Sequence, residues 1–126
     1  MKYLHTMVRV RDLDASLRFY CEGLGLKEVR RMENNSGRFT LVFLSADETP
    51  AAEIELTYNH GVHQYEIGTA FGHLALGVSD VYATCDRIRA QGGKITREPG
   101  PVAGGTRVIA FVVDPDGYKI ELVQHP

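Results

Sequence analysis

The spacing of apolar residues divides the chain into short strands and two helices. Alternating apolar positions predict strands over residues 4–10, 38–45, 53–58, 74–78, 107–113 and 118–123. Two other stretches place apolar residues at i, i+4 and i+7, the spacing of one helix face. These are Leu13, Leu17 and Tyr20 in the first stretch and Val81, Cys85 and Ile88 in the second. The chain is therefore predicted to mix helices and strands.

The helices and strands form a repeat. His5 and His73 stand 68 positions apart, and the same offset aligns Asp12 with Asp80, each placed to cap the N-terminus of a helix. It also aligns Val10 with Val78, Ala15 with Ala83 and Gly25 with Gly93. If one further short strand follows each helix, both halves read βαβββ. We expect one α+β domain over 1–126, made of modules at about 1–60 and 70–126 with a connector at about 59–69.

Side-chain alternation places one histidine and one glutamate on the polar face of corresponding strands in each half. In the first half, Ile54 and Leu56 face the core whereas Glu55 faces away, as His5 does on the first strand. The second half repeats the pattern. There the inward residues are Leu74, Leu76, Val78, Ile120 and Leu122, and the outward ones are His73 and Glu121.

Two imidazoles and two carboxylates form a plausible ligand set for a first-row divalent metal. The alternative is that each is a surface residue on a solvent-facing sheet, which is the usual case for a single glutamate on a strand. The joint pattern, with the same residue types at repeat-equivalent strands, favours the metal. Three other residues compete as ligands, Glu53, His60 and His63, whereas His125 is expected to be disordered or solvated.

Composition excludes several classes of partner. The 44% hydrophobic fraction, the 24% charged fraction and the net charge of −2 are typical of a globular protein and do not favour a nucleic-acid partner. The longest apolar run, 108–113, is six residues, far below the roughly 20 of a membrane span. Cys21 and Cys85 lack metal-site spacing, so buried free thiols and a cytoplasmic location are expected.

Four segments resemble bacterial glyoxalase I, the lactoylglutathione lyase family of the vicinal-oxygen-chelate superfamily. They are Leu4-His5-Thr6-Met7 with Arg9, Ile54-Glu55-Leu56-Thr57-Tyr58-Asn59, Gly68-Thr69-Ala70-Phe71-Gly72-His73, and Asp114-Pro115-Asp116-Gly117-Tyr118-Lys119-Ile120-Glu121-Leu122. The last segment is common to much of the superfamily. The second and third together are more specific, and the resemblance covers essentially the whole chain.

The resemblance implies paired βαβββ modules whose curved mixed sheets are completed across a homodimer. His5 and Glu55 of one chain would meet His73 and Glu121 of the other, giving two metal sites per dimer. The family isomerises the hemithioacetal of glutathione and methylglyoxal to S-lactoylglutathione. Arg9 and Asn59 would contact glutathione, with His73 also at the substrate.

Proton transfer between adjacent carbons needs a base and a cation that stabilises charge on two neighbouring oxygens. The family's pattern gives the role of base to Glu121, with Glu55 as the partner carboxylate, and their order stays open. The short chain and the histidine at position 5 are similar to the nickel- and cobalt-activated class, so nickel is expected ahead of cobalt and zinc. One departure is Ala103, where the family often has a lysine for the glycyl carboxylate; Arg97 or Arg107 could replace it.

Other functions share this fold. Ring-cleaving dioxygenases and antibiotic-inactivating thiol transferases hold a metal with three ligands, so they do not need Glu55. A metal-free module that binds a drug has no use for two repeat-related His and Glu pairs.

Overall fold

A computed structural model describes residues 1–47 and 52–126, so most of the loop that joins the strands predicted over 38–45 and 53–58 lies outside the described residues. The chain divides into two compact units, Met1–Glu66 (unit 1) and Ile67–Pro126 (unit 2). Within the described residues, each unit holds one continuous helical segment and one four-stranded mixed sheet. The α+β class is confirmed, whereas completion of the sheets across a dimer stays a prediction.

Unit 1 has the βαβββ order. Its elements are β1 (His5–Arg9), α1 (Leu13–Leu17) followed by a π-helical segment (Arg18–Gly23), β2 (Lys27–Asn34), β3 (Phe39–Ser45) and β4 (Glu53–Asn59). The strands lie in the order β1-β4-β3-β2, with β1 parallel to β4 and the other pairs antiparallel. The strand expected over 38–45 begins one residue late, because Arg38 has a left-handed φ of 57°.

Unit 2 repeats this topology. Its elements are β5 (His73–Val78), α2 (Val81–Ala90), β6 (Lys94–Pro101), β7 (Val108–Val113) and β8 (Lys119–Gln124), in the sheet order β5-β8-β7-β6. Asp80 caps α2 by accepting a hydrogen bond from the amide of Ala83 at 3.0 Å, and Asp12 caps α1 in the same way through Ala15 at 3.1 Å. Both predicted caps are confirmed.

Each unit has its own apolar core between helix and sheet. The fully buried side chains include Val10, Tyr20, Val42, Leu44 and Leu56 in unit 1, and Val81, Ile88, Val112, Ile120 and Leu122 in unit 2. The stripe predicted for α2 is confirmed. No helix in the described residues is both long and apolar enough to span a bilayer.

The stripe predicted for the first helix is wrong in part. Leu13 and Leu17 are only half-buried, whereas Ser16, Phe19 and Tyr20 are buried. The helix widens into a π-helical turn after Leu17, and this changes which side chains face the sheet.

One strand boundary and two other burial predictions need correction. The strand expected over 4–10 spans His5–Arg9, and Leu4 before it is 61% exposed. The inward side chains of β5, which are Leu74, Leu76 and Val78, are only half-buried, whereas Val8 on the equivalent edge strand β1 is buried. Both cysteines are free, as predicted, but Cys21 is half-buried and only Cys85 is buried.

Candidate metal centre

In unit 1, His5 and Glu55 come together from neighbouring parallel strands. The register places Met7 of β1 opposite Glu55 of β4, so the histidine lies two residues before the position facing the glutamate. Their side chains share one face of the sheet, and His5 Nε2 lies 3.4 Å from Glu55 Oε1. The glutamate side chain is 12% exposed and the histidine 36%, so the pair sits at the edge of the buried region.

Unit 2 builds the same pair in the same register. Ala75 of β5 faces Glu121 of β8, and His73 again stands two residues earlier. His73 Nε2 lies 3.3 Å from Glu121 Oε1, with side chains that are 41% and 22% exposed. The four residues selected from the sequence therefore form one His–Glu pair in each unit.

The distance within each pair suits a shared metal ion better than a direct hydrogen bond. An N–H···O bond has an optimum of about 2.9–3.0 Å, so 3.3 and 3.4 Å are long for one. Two donor atoms that each bind an ion at about 2.1 Å are about 3.0–3.4 Å apart at coordination angles between octahedral and tetrahedral. The donor set fits a divalent cation, with one nitrogen and one carboxylate oxygen from each pair.

Neither pair forms a full ligand set alone. Within residues 1–47 and 52–126, no group of three or more His, Cys, Asp or Glu side chains gathers to hold a metal. A site with four protein ligands would need both pairs.

A phenylalanine beside each histidine was missed by the sequence analysis. Phe43 and His5 meet edge to face, with ring centroids 5.7 Å apart, and Phe111 and His73 do the same at 5.1 Å. Each phenylalanine faces the pair's glutamate across the antiparallel strand pair. The signal was present, because Phe43 and Phe111 stand 68 positions apart, like the histidines.

An arginine lies against the phenylalanine of the first pair. Arg30 lies over the ring of Phe43, 3.8 Å from its centroid, and donates a 2.7 Å hydrogen bond to Glu53 Oε2. Glu53, a competing ligand in the sequence analysis, therefore already has a cationic partner.

The second pair borders an open depression of about 430 Å³, whose lining includes His73, Thr96, Arg97, Phe111 and Lys119. Arg97 faces Phe111 in the register as Arg30 faces Phe43, but its guanidinium binds backbone carbonyls. Its Nη1 donates to the carbonyls of Gly100 and Ile109, at 2.9 and 2.8 Å. Lys119 stands where unit 1 has Glu53, so the depression carries two cations.

The other predicted residues lie apart from the pairs or have different partners. His60 is hydrogen-bonded to Thr40 Oγ1 at 2.9 Å. His63 is exposed in the segment after β4, and exposed His125 follows β8. Arg9 is exposed at the end of β1, whereas Asn59 ends β4 and donates to Tyr65 Oη at 3.0 Å.

Comparisons with known proteins agree with one another. Residues 2–122 match the model of the Glyoxalase/Bleomycin resistance protein/Dioxygenase superfamily. The chain is 59% identical to lactoylglutathione lyase from Haemophilus influenzae, covering 99% of this chain and 93% of that protein. It is 55% identical to lactoylglutathione lyase from Escherichia coli O157:H7, covering 98% and 93%.

Two solved structures are also similar. Glyoxalase I from Zea mays matches with a TM-score of 0.92 and 47% identity over 98% of this chain, which spans 44% of the maize chain. The trypanothione-dependent glyoxalase I from Leishmania major matches with a TM-score of 0.84 and 43% identity, covering 98% of this chain and 86% of that one.

Proposed function

Because the chain belongs to the Glyoxalase/Bleomycin resistance protein/Dioxygenase superfamily, we propose that it is a metal-dependent glyoxalase I acting on the hemithioacetal of methylglyoxal and glutathione. The observation that carries this proposal is the repeated His–Glu pair, at 3.4 and 3.3 Å in register-equivalent positions. Identity above 50% to lactoylglutathione lyases over nearly the whole chain supports the reaction.

His5, Glu55, His73 and Glu121 would hold one divalent cation. When bound, the cation supplies Lewis-acid stabilisation of the negative charge that develops on two neighbouring substrate oxygens. Four nitrogen and oxygen ligands without a thiolate accept nickel, cobalt or zinc. We propose nickel, with cobalt as an effective replacement and zinc as a poor one, because the histidine at position 5 is similar to that of the nickel- and cobalt-activated class.

Glu121 is the proposed base. Its carboxylate accepts the proton from the carbon that bears the hydroxyl and the sulfur, and returns it to the adjacent carbonyl carbon. The hydroxyl proton passes to the former carbonyl oxygen, so the hydroxyl carbon becomes the thioester carbonyl. The hemithioacetal thereby becomes S-lactoylglutathione with no net gain or loss of atoms. Glu121 is more exposed than Glu55, 22% against 12%, which suits a group that must reach the substrate.

Substrate contacts are proposed for Arg9, Asn59 and His73. For the glycyl carboxylate of glutathione, the structure favours Arg107 over Arg97. The Nη donors of Arg97 already bind backbone carbonyls, whereas the side chain of Arg107 is exposed. The two free cysteines fit a reducing compartment, which supports a location in the cytoplasm.

The proposed reaction is tested by stripping the protein with a chelator and restoring one metal at a time. Glutathione and methylglyoxal are then supplied, and thioester absorbance is followed after adding nickel, cobalt or zinc. Activity with nickel or cobalt, and little with zinc, is the expected result. No thioester with any metal would overturn the isomerase assignment and favour the transferase or binding-protein alternatives.

The proposed homodimer completes each centre with His5 and Glu55 from one chain and His73 and Glu121 from the other. Two inactive variants test this arrangement, His5→Ala/Glu55→Gln and His73→Ala/Glu121→Gln. If the centre forms between chains, a mixed dimer regains one intact centre, so mixing the variants after mild dissociation restores part of the activity. If mixed dimers form and stay inactive, the centre lies within one chain.

A further inference from the structure

The two glutamates are held differently. In unit 1, Thr57 Oγ1 donates a 2.8 Å hydrogen bond to Glu55 Oε2, and both residues are buried, with 8% and 9% exposed. The other carboxylate oxygen, Oε1, faces His5. Glu55 therefore has one oxygen directed to the metal pair and the other bound by a neighbouring hydroxyl.

Unit 2 lacks this hydroxyl. Val123 stands two residues after Glu121, as Thr57 stands two residues after Glu55, and the strand registers match. Ile109 of β7 faces Val123 just as Leu41 of β3 faces Thr57. A valine has nearly the shape of a threonine but offers no hydrogen-bond donor.

We propose that Thr57 is a positioning residue that fixes Glu55 as the stationary carboxylate of the centre. A hydrogen bond to a charged acceptor is stronger than one between neutral groups, and burial excludes the water that would replace it. Rotation of the Glu55 carboxylate must break this bond with no substitute donor. Glu121 has no such restraint from Val123, so it is the carboxylate that is able to leave the metal and carry a proton.

This inference rests on the proposed function and deepens it. The function requires one carboxylate that stays on the metal and one that moves, but the repeated pairs alone do not say which is which. The difference between Thr57 and Val123, at equivalent positions of the two units, distinguishes the stationary carboxylate from the movable one. Removing a residue that is hydrogen-bonded to a metal ligand typically lowers metal affinity by about 10- to 100-fold.

The test exchanges the hydroxyl between the units. Thr57→Val removes it with little change in shape, Thr57→Ser retains it, and Val123→Thr adds one beside Glu121. Each protein is loaded with Co²⁺, and release of the metal to a chelator is timed. We expect Thr57→Val to release Co²⁺ about 10- to 100-fold faster, and Thr57→Ser to resemble the parent. Val123→Thr is expected to retain Co²⁺ but to isomerise the hemithioacetal more slowly.

A second comparison separates positioning from a general effect on folding. In the parent, Glu121→Gln should reduce kcat far more than Glu55→Gln, and in the double variant Thr57→Val/Val123→Thr this difference should narrow. Unchanged Co²⁺ release in a folded Thr57→Val would overturn the inference, as would an unchanged difference between the glutamine variants. If Thr57→Val fails to fold, parental kcat in Val123→Thr would overturn it instead.

Failure of the proposed function gives a different result. If the parent protein binds no Co²⁺ and forms no thioester, the proposed function as a metal-dependent isomerase is wrong. If the parent binds and turns over but the hydroxyl exchange has no effect, only the role of Thr57 is wrong.

Discussion

Units 1 and 2 share a backbone topology, a strand register and a His–Phe–Glu arrangement, yet they differ in the polar residues around it. Unit 1 has Glu53 bound to Arg30, and Thr57 bound to Glu55. Unit 2 has Lys119 and Val123 at the corresponding positions. Both units keep the residues that the proposed metal centre requires of each unit. What differs can give each half a task of its own, a held carboxylate in unit 1 and a movable one beside a cationic depression in unit 2.

The largest expected effect separates the two glutamates. Glu121→Gln removes the proposed base and should reduce kcat by about 10³-fold, within the usual range for a general base. Glu55→Gln weakens a ligand but leaves the base, so we expect a loss of about 10- to 100-fold. Steady-state kinetics at saturating nickel measures both. Equal losses of kcat would contradict the proposal that Glu121 is the base and Glu55 only a ligand. Full activity in Glu55→Gln would favour one of the alternative functions in which three protein ligands hold the metal.

The next largest effect compares the two cores. Leu56 and Leu122 occupy equivalent positions next to the two glutamates, and both are fully buried. Leu56→Ala and Leu122→Ala should each lower the free energy of unfolding by about 2–5 kcal/mol, because each leaves a cavity. Urea unfolding followed by circular dichroism measures the loss. A change below about 1 kcal/mol in either variant would show that its core is less closely packed than described.

Helix caps give a smaller effect. Asp12 and Asp80 each accept a hydrogen bond from an amide of the first helical turn, at 3.1 and 3.0 Å. Replacement of either by alanine should cost about 1 kcal/mol, and replacement by asparagine much less. Thermal unfolding of the four variants checks this. A loss in Asp80→Asn as large as in Asp80→Ala would mean that charge, and not capping, carries the effect.

The smallest effect concerns the thiols. Burial raises the pKa of Cys21, and Glu28 and Glu22 add to the rise; burial followed by Glu98 raises the pKa of Cys85. The folded protein thus holds the thiol protons more tightly than the unfolded chain does. The contribution of these protons to the free energy of unfolding is therefore complete at neutral pH, and it declines as the pH rises above the ordinary thiol pKa.

Alkylation followed by mass spectrometry should label half-buried Cys21 slowly and Cys85 more slowly still. Faster labelling of Cys85 would contradict the burial described for α2.

The ligand residues could be selected from the sequence because strand alternation and the repeat act locally. A period of two placed His5 and Glu55 on one face, and the offset of 68 identified His73 as the counterpart of His5. The partners Phe43, Arg30 and Thr57 were not selected. The contacts of Phe43 and Arg30 depend on which residues of β2, β3 and β4 face one another, and alternation within one strand does not determine register. Thr57 lies two residues after Glu55 on the same strand, so alternation does place both on one face, and only the hydrogen bond between them was missed.

The first helix shows a second limit. Its cap at Asp12 was predicted, but the π-helical segment Arg18–Gly23 was not. Apolar spacing assumes 3.6 residues per turn, and the helix with its wider turn buries Ser16 and Phe19 in place of Leu13 and Leu17, while Tyr20 is buried as predicted. In α2, which is regular over ten residues, the same spacing selected the buried residues correctly.

The proposed metal centre requires that two His–Glu pairs bind one metal ion together. Calorimetric titration of the stripped protein with Ni²⁺ tests this requirement when the parent is compared with His5→Ala and His73→Ala. We expect one tight site per chain in the parent and loss of tight binding in both variants. Two ions per chain in the parent, with one retained in each variant, would show instead that each unit binds its own metal.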